Sequence, residues 1–137
     1  MNLRRVLIRG IGVVFILSLL LPLEGCVPAA SVQWTIVSDK KNATPVNEDV
    51  EALGKILDAL GYVKQDIGNL PKVNYFSSSQ SDRLTVTLLW SQDSPIKIRL
   101  MESGVKELSS LGNQQIILIN EELNKKFGIE RVTFTKF

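Results

Sequence analysis

LTVTLLWSQDSPIKIRLM, residues 84–101, is the stretch that decides the fold. Every second residue is apolar in both halves of the stretch, and these residues are Leu84, Val86, Leu88, Trp90, Ile96, Ile98 and Leu100. An alternation of period two predicts two strands, each buried on one side. Residues 91–95 are too few for a parallel crossover, so the two strands are expected to pair antiparallel.

A third strand is predicted just before this pair, over Lys72 to Phe76. The serine-rich segment 77–82 separates it from Leu84, and serine and aspartate are typical of a solvated turn. Residues 65–71 are interpreted as a loop. The three segments together predict an antiparallel meander.

Toward the N-terminus, the sequence predicts a strand over Ser31 to Val37 and a helix over Pro45 to Leu60. Thr44 is a plausible N-cap before Pro45. The helix has one apolar stripe at three- and four-residue spacing, formed by Val46, Val50, Leu53, Leu57 and Leu60.

Toward the C-terminus, a second helix is predicted from Asn113 to Phe127, with Gly128 as its cap. Residues 102–112 combine helix-forming and helix-breaking residues, and 116–119 alone could equally form a strand. Alternation returns over Arg131 to Phe137, which predicts a last strand.

The predicted order is β-α-β-β-β-α-β, which is typical of the α+β class. We expect an antiparallel or mixed sheet of about five strands, with two helices packed on one face, within a single domain of residues 31–137. Trp34 and Trp90 fall on the apolar phase of their strands and are assigned to its core.

The other face of this sheet is a possible partner-binding face. The residues expected there are Thr85, Thr87, Lys97, Arg99, Arg131, Thr133 and Thr135. Threonine also suits any solvated strand face, so a face without a function explains the same pattern.

The N-terminus carries a different signal. Three arginines at positions 4, 5 and 9 precede an apolar run over 11–23, which is short for a membrane span and fits the core of a signal peptide. The run ends in Leu23-Glu24-Gly25-Cys26. This motif resembles the lipobox of bacterial lipoproteins, with Glu24 in place of the usual small or apolar residue.

The resemblance implies that residues 1–25 are a signal peptide cleaved after Gly25, and that the Cys26 thiol carries a diacylglyceryl group. Residues 26–30 would be the lipidated cysteine and a short tether. Membrane attachment through Cys26 implies a cell-envelope location, and Val27 after the cysteine favours the outer membrane, facing the periplasm, in a Gram-negative cell. An ordinary secretory signal and an uncleaved anchor helix are the alternatives.

Composition narrows the function classes. Of 16 basic and 14 acidic residues, three arginines and Glu24 lie in residues 1–25, so the remaining 112 residues carry 13 of each sign. A neutral domain lacks the main attraction for nucleic acid. The chain has no histidine and one cysteine, Cys26, which removes the commonest catalytic bases, nucleophiles and zinc ligands. We therefore expect neither an enzyme nor a metal or other cofactor.

The leading hypothesis is a non-catalytic envelope lipoprotein that binds another protein as an accessory module. The alternative is a carrier of a small apolar ligand such as a lipid, with a cavity lined by residues like Ile116, Leu123 and Trp90. An enzyme that uses only Asp, Glu, Lys, Ser or Tyr is a third hypothesis.

Overall fold

A computed structural model of the 137-residue chain describes residues 28–37, 46–68, 70–91 and 94–137. The predictions for the signal peptide and Cys26 lie outside the described residues. The same holds for the predicted turn at 39–42 and for the capping pair Thr44-Pro45.

The described residues fold into six strands and two α-helices. Their bounds are β1 Ala29–Ile36, α1 Val46–Ala59, β2 Tyr62–Gln65, β3 Val73–Ser78, β4 Leu84–Ser91, β5 Ser94–Ser103, α2 Ser110–Phe127 and β6 Val132–Lys136, with a short 3₁₀ helix at Ile129–Arg131. The predicted α+β class is confirmed, although the sheet has one strand more than expected.

All six strands belong to one sheet in the order β2-β3-β4-β5-β1-β6, and every neighbouring pair is antiparallel. The β3–β4–β5 meander is present as predicted. β1 inserts between β5 and β6, with Trp34 opposite Ile98 on one side and opposite Phe134 on the other.

The additional strand is β2, in a stretch for which the sequence pattern predicts no strand. Its four residues follow Gly61, whose φ of 94° turns the chain out of α1. Only Tyr62 of this strand is buried, so the strand has too few apolar positions to show a clear alternation. β2 ends at Gln65 and β3 begins at Val73, so the predicted loop of 65–71 is displaced by one residue at each end.

The core lies between one face of the sheet and both helices. On the sheet side it holds the alternating apolar residues of β1, β4 and β5, together with Tyr62 and Phe76. The helices contribute Val50, Leu53, Leu57, Ile119, Leu123 and Phe127. Trp34 is fully buried and Trp90 packs against the core edge, in agreement with their assignment as core residues.

α2 begins at Ser110, three residues before the predicted start. Ser109 caps it, since its Oγ accepts a hydrogen bond from the Gly112 N–H at 3.2 Å. The buried Glu102 carboxylate in turn accepts hydrogen bonds from the N–H and Oγ of Ser109, at 2.8 and 2.7 Å. The serines and the glycine that interrupt the helical pattern therefore belong to the helix N-terminus.

α2 ends at Phe127, as the sequence predicted, and its cap is Gly128, whose φ is 89°. The 3₁₀ helix follows directly and includes Arg131, so β6 begins at Val132 and not at Arg131 as predicted.

Candidate functional site

The sheet face that points away from α1 and α2 is the candidate site, and we call it the open face. Within the described ranges, both helices pack on the opposite side. The pairing register assigns to the open face Val63, Gln65, Val73, Tyr75, Ser77, Thr85, Thr87, Leu89, Lys97, Arg99, Met101, Ser31, Gln33, Thr35, Thr133 and Thr135. Phe137, directly after β6, continues the same phase.

Six of the seven residues predicted for this face are brought together by the register. On β4 and β5, Thr87 lies opposite Arg99, and Leu89 lies opposite Lys97. Thr85 precedes them on the same side of β4. Thr133 and Thr135 pair with Thr35 and Gln33 across the β1–β6 ladder. Period-two alternation was sufficient to place these residues because all six lie within strands, where successive side chains point to opposite faces.

The prediction that Arg131 shares this face is wrong. Arg131 belongs to the 3₁₀ helix, and its Nη2 lies 2.8 Å from Oδ2 of Asp49 on α1. Its Nε donates to the Val37 carbonyl at 2.9 Å, and the guanidinium lies 5.2 Å from the centre of the Phe127 ring. Arg131 therefore joins the sheet to the helix layer and is not available to a partner at the open face.

Arg99 is the central charge of the open face. Its Nη2 donates to Oε1 of Gln33 at 3.1 Å, and the Phe137 ring centre lies 4.9 Å from its guanidinium carbon. Its Nε is buried and has no hydrogen-bond partner among the described residues. The rest of the side chain is partly accessible. Because hydrogen bonds from a guanidinium to a carboxylate are charge-assisted, a carboxylate from another molecule would be a favourable addition at that accessible part.

The charges of this face have one sign. Lys97 and Arg99 are its charged residues, and the open face carries no aspartate or glutamate in the strands that the structure describes. Lys97 is exposed, whereas Arg99 is partly covered. A surface of this kind attracts an acidic or neutral partner and disfavours a basic one.

The face also has an apolar part that the sequence pattern did not reveal. Val63 is 54% exposed and Leu89 is 43% exposed, while Val73 and Tyr75 of β3 are half-buried beside them. Leu89 and Tyr75 lie on strands that the sequence predicted, whereas Val63 joins them only because β2 extends the sheet. The aromatic and β-branched pair Tyr62-Val63 directly after Gly61 is the signal that could have indicated this strand.

A cleft lies on the helix side, between α1 and the β2–β3 edge. Its volume is about 470 Å³. The lining residues are Asn47, Val50, Glu51, Gly54, Lys55, Asp58, Tyr62, Lys64, Asn74 and Phe76. Ile116, Leu123 and Trp90, which were expected to line an internal cavity, do not line this cleft. Leu123 is only 1% exposed and lies in the packed core.

Tyr62 at this cleft makes a buried polar contact. Its hydroxyl donates to Oε1 of Gln115 on α2 at 2.7 Å, and burial raises the pKa of Tyr62 to about 12. A phenol with this pKa stays protonated near neutral pH. The pair therefore serves as a neutral hydrogen bond between β2 and α2, and not as a proton-transfer group.

The predicted serine-rich turn at 77–82 begins later than expected, because Ser77 and Ser78 belong to β3 and the turn follows at 79–83. Ser78 Oγ accepts from the Gln80 N–H at 3.0 Å, and Ser81 Oγ accepts from the Arg83 N–H at 3.2 Å. These hydroxyls satisfy the backbone of the turn itself.

Metal-binding clusters and membrane-spanning helices are the other kinds of site to consider within the described part of the chain. No group of three or more His, Cys, Asp or Glu residues is placed there to hold a metal ion. No helix in that part is both long and apolar enough to cross a membrane.

Comparison of the whole chain with protein-family models, with curated proteins and with solved structures finds no match.

Proposed function

We propose that this protein is a lipid-anchored lipoprotein of the cell envelope whose domain binds another protein through the open face, without catalysis. The observation that carries the binding proposal is the face itself: a six-stranded surface that neither helix covers and whose charges are both positive. The anchor is proposed from the sequence alone, namely the three arginines, the apolar run over 11–23 and the motif Leu23-Glu24-Gly25-Cys26.

The side chains of the open face support a protein as the ligand. An apolar part around Val63, Tyr75 and Leu89 adjoins a cationic part around Lys97 and Arg99. Protein interfaces combine an apolar, aromatic centre with charged residues at the edge, and arginine is enriched in them. Thr85 and Thr87 on β4, between β3 and β5, can donate and accept hydrogen bonds.

The preferred partner is acidic. Arg99 has one side-chain acceptor in Gln33, and the accessible part of its guanidinium can pair with a carboxylate of the partner. Lys97, two residues away on the same strand and exposed, adds a second cation. A partner with two carboxylates at matching spacing would pair with both cations.

Site-specific photo-crosslinking in native membranes tests this proposal. A photoreactive amino acid replaces Thr87 on the open face, and a matched control replaces Glu121, an exposed residue on α2. We expect a discrete crosslinked protein with the probe at position 87 and none at 121. Equal crosslinking at positions 87 and 121 would contradict binding through this face. So would the absence of any crosslinked protein when the probe is placed in turn at Thr87, Thr85 and Lys97.

A second candidate function is the binding of a small amphipathic ligand, and the cleft between α1 and the β2–β3 edge favours it. Val50, Tyr62 and Phe76 supply apolar contacts, while Lys55 and Lys64 could pair with an anionic group. Native mass spectrometry of protein purified from the envelope tests it. A bound small molecule that is lost on substituting Gly54→Leu, which fills the cleft, would support this function over the first.

A further inference from the structure

The two ends of the sheet differ in their distance from the proposed anchor. β1 starts at Ala29 beside Ser103 of β5, and the Gly104 N–H donates to the Pro28 carbonyl at 2.7 Å. The C-terminal residue returns to this end, since the Phe137 N–H donates to the Ser31 carbonyl at 3.4 Å. Both termini of the described domain therefore lie at one end of the sheet.

Two connections lie at the same end. The β3–β4 turn ends at Arg83, whose carbonyl accepts from the Ser103 N–H at 3.0 Å. The Arg83 guanidinium lies against Gly104, within 3.6 Å of the position that a Cβ would occupy. The β5–α2 connection begins there as well. We call the surface formed by residues 79–83, 103–107 and 136–137 the proximal end.

Covalent geometry keeps this end close to Cys26. Only Val27 separates Cys26 from Pro28. Two extended residues span at most about 7 Å, so Pro28 cannot lie farther than that from the acylated residue. The acyl chains of Cys26 enter the bilayer directly, which leaves the proximal end at the depth of the phospholipid headgroups.

The side chains of the proximal end suit that environment. Phe137 is 67% exposed, and Lys136 beside it is also exposed. Arg83 and Lys106 add positive charge, against Asp82 and Glu107. Exposed aromatic rings and basic side chains are the groups that favour the interface of a bilayer containing anionic lipid.

We propose that the proximal end contacts the phospholipid headgroups. The strands then extend away from the bilayer, and the open face is oriented roughly perpendicular to the membrane plane. This inference rests on the proposed acylation of Cys26. The eight residues of β1 extend about 26 Å at 3.3 Å per residue. A partner of the open face would therefore dock beside the protein, within about 30 Å of the membrane surface.

Headgroup quenching in vesicles tests the orientation. The full lipidated protein is reconstituted into vesicles of phosphatidylglycerol and phosphatidylcholine that contain a headgroup-nitroxide lipid. Because acylation occupies Cys26, a fluorophore reacts only at one introduced thiol. Gln80→Cys labels the turn at the proximal end of β3, and Leu70→Cys labels the exposed loop before its distal end. Lys106→Cys and Ile129→Cys form a second pair on different connections.

We expect quenching at positions 80 and 106 to exceed that at 70 and 129 by about threefold, because the six residues of β3 separate the ends by about 20 Å. Equal or reversed quenching in protein whose mass includes the acyl chains would overturn the orientation and leave the lipoprotein proposal intact. A mass without acyl chains would instead overturn the proposed function. Two label pairs keep the test decisive if one variant fails to fold.

Discussion

The glycine at the start of α2 provides a sharp test of the packing described above. A Cβ added at Gly112 would lie 2.7 Å from Oε1 of Glu102, 3.0 Å from Cδ2 of Leu108 and 3.2 Å from Cβ of Leu108. Glu102 cannot move without loss, because its carboxylate holds the N–H and Oγ of Ser109. The substitution Gly112→Ala therefore disturbs the cap of α2 as well as its own site.

The expected magnitude follows from two opposing effects. Alanine gains up to about 1 kcal/mol over glycine in a helix. Loss of the Ser109 cap costs about 1 kcal/mol, and weakening the charged hydrogen bonds to Glu102 costs about 1.5–3 kcal/mol. We expect Gly112→Ala to lower the free energy of unfolding by about 2 kcal/mol, opposite in sign to its helix propensity.

Gly54 of α1 is the matched control, because nothing lies within 4 Å of the Cβ position there. Gly54→Ala should raise the free energy of unfolding by about 0.5–1 kcal/mol. Urea denaturation followed by tryptophan fluorescence measures both variants, since Trp34 is buried in the core. If both substitutions stabilised the domain equally, the close approach of Glu102 to Gly112 would be refuted.

Three further predictions concern the interior and the open face. Arg131→Met leaves Asp49 buried without its cation and should cost about 3–5 kcal/mol in urea denaturation, whereas a loss below about 1 kcal/mol would place Arg131 among ordinary surface residues. Tyr62→Phe should remove a pH dependence of stability. Burial raises the folded pKa of Tyr62 from 10.0 to about 12, so wild-type stability is fully present below pH 10 and falls as the pH rises toward 12, and the Tyr62→Phe variant titrated in parallel should lack that part of the decline. Lys97→Glu should reduce crosslinking from position 87 about tenfold at low salt and leave the unfolding free energy within about 0.5 kcal/mol of wild type, and an unchanged crosslinking yield would show that Lys97 does not attract the partner.

The alternation of apolar and polar residues along the strands was sufficient to predict most of the sheet. Residues 84–100 alternate so regularly that the buried residues were placed correctly on one face, and Thr87, Lys97 and Arg99 on the other. The reason is physical: a strand buried on one face cannot slip by one residue without exposing its apolar side chains.

The sequence could not predict features that depend on contacts between distant segments. Arg131 continues the alternation of β6, yet a 3₁₀ helix and the carboxylate of Asp49, 82 positions away, decide where its side chain lies. β2 is too short to show a pattern, and its pairing with β3 makes it a strand. The cleft beside α1 depends on how that helix lies across the sheet edge, which no local spacing encodes.

The proposed function depends most directly on Cys26, and one mass measurement addresses it. The protein is purified from the membranes of its native host, and its intact mass and N-terminal peptide are determined. We predict a chain that begins at Cys26 and carries two or three acyl chains, with that mass lost in a Cys26→Ala variant. A chain that retains residues 1–25, or one that begins near Cys26 without acyl groups, would contradict the lipid anchor.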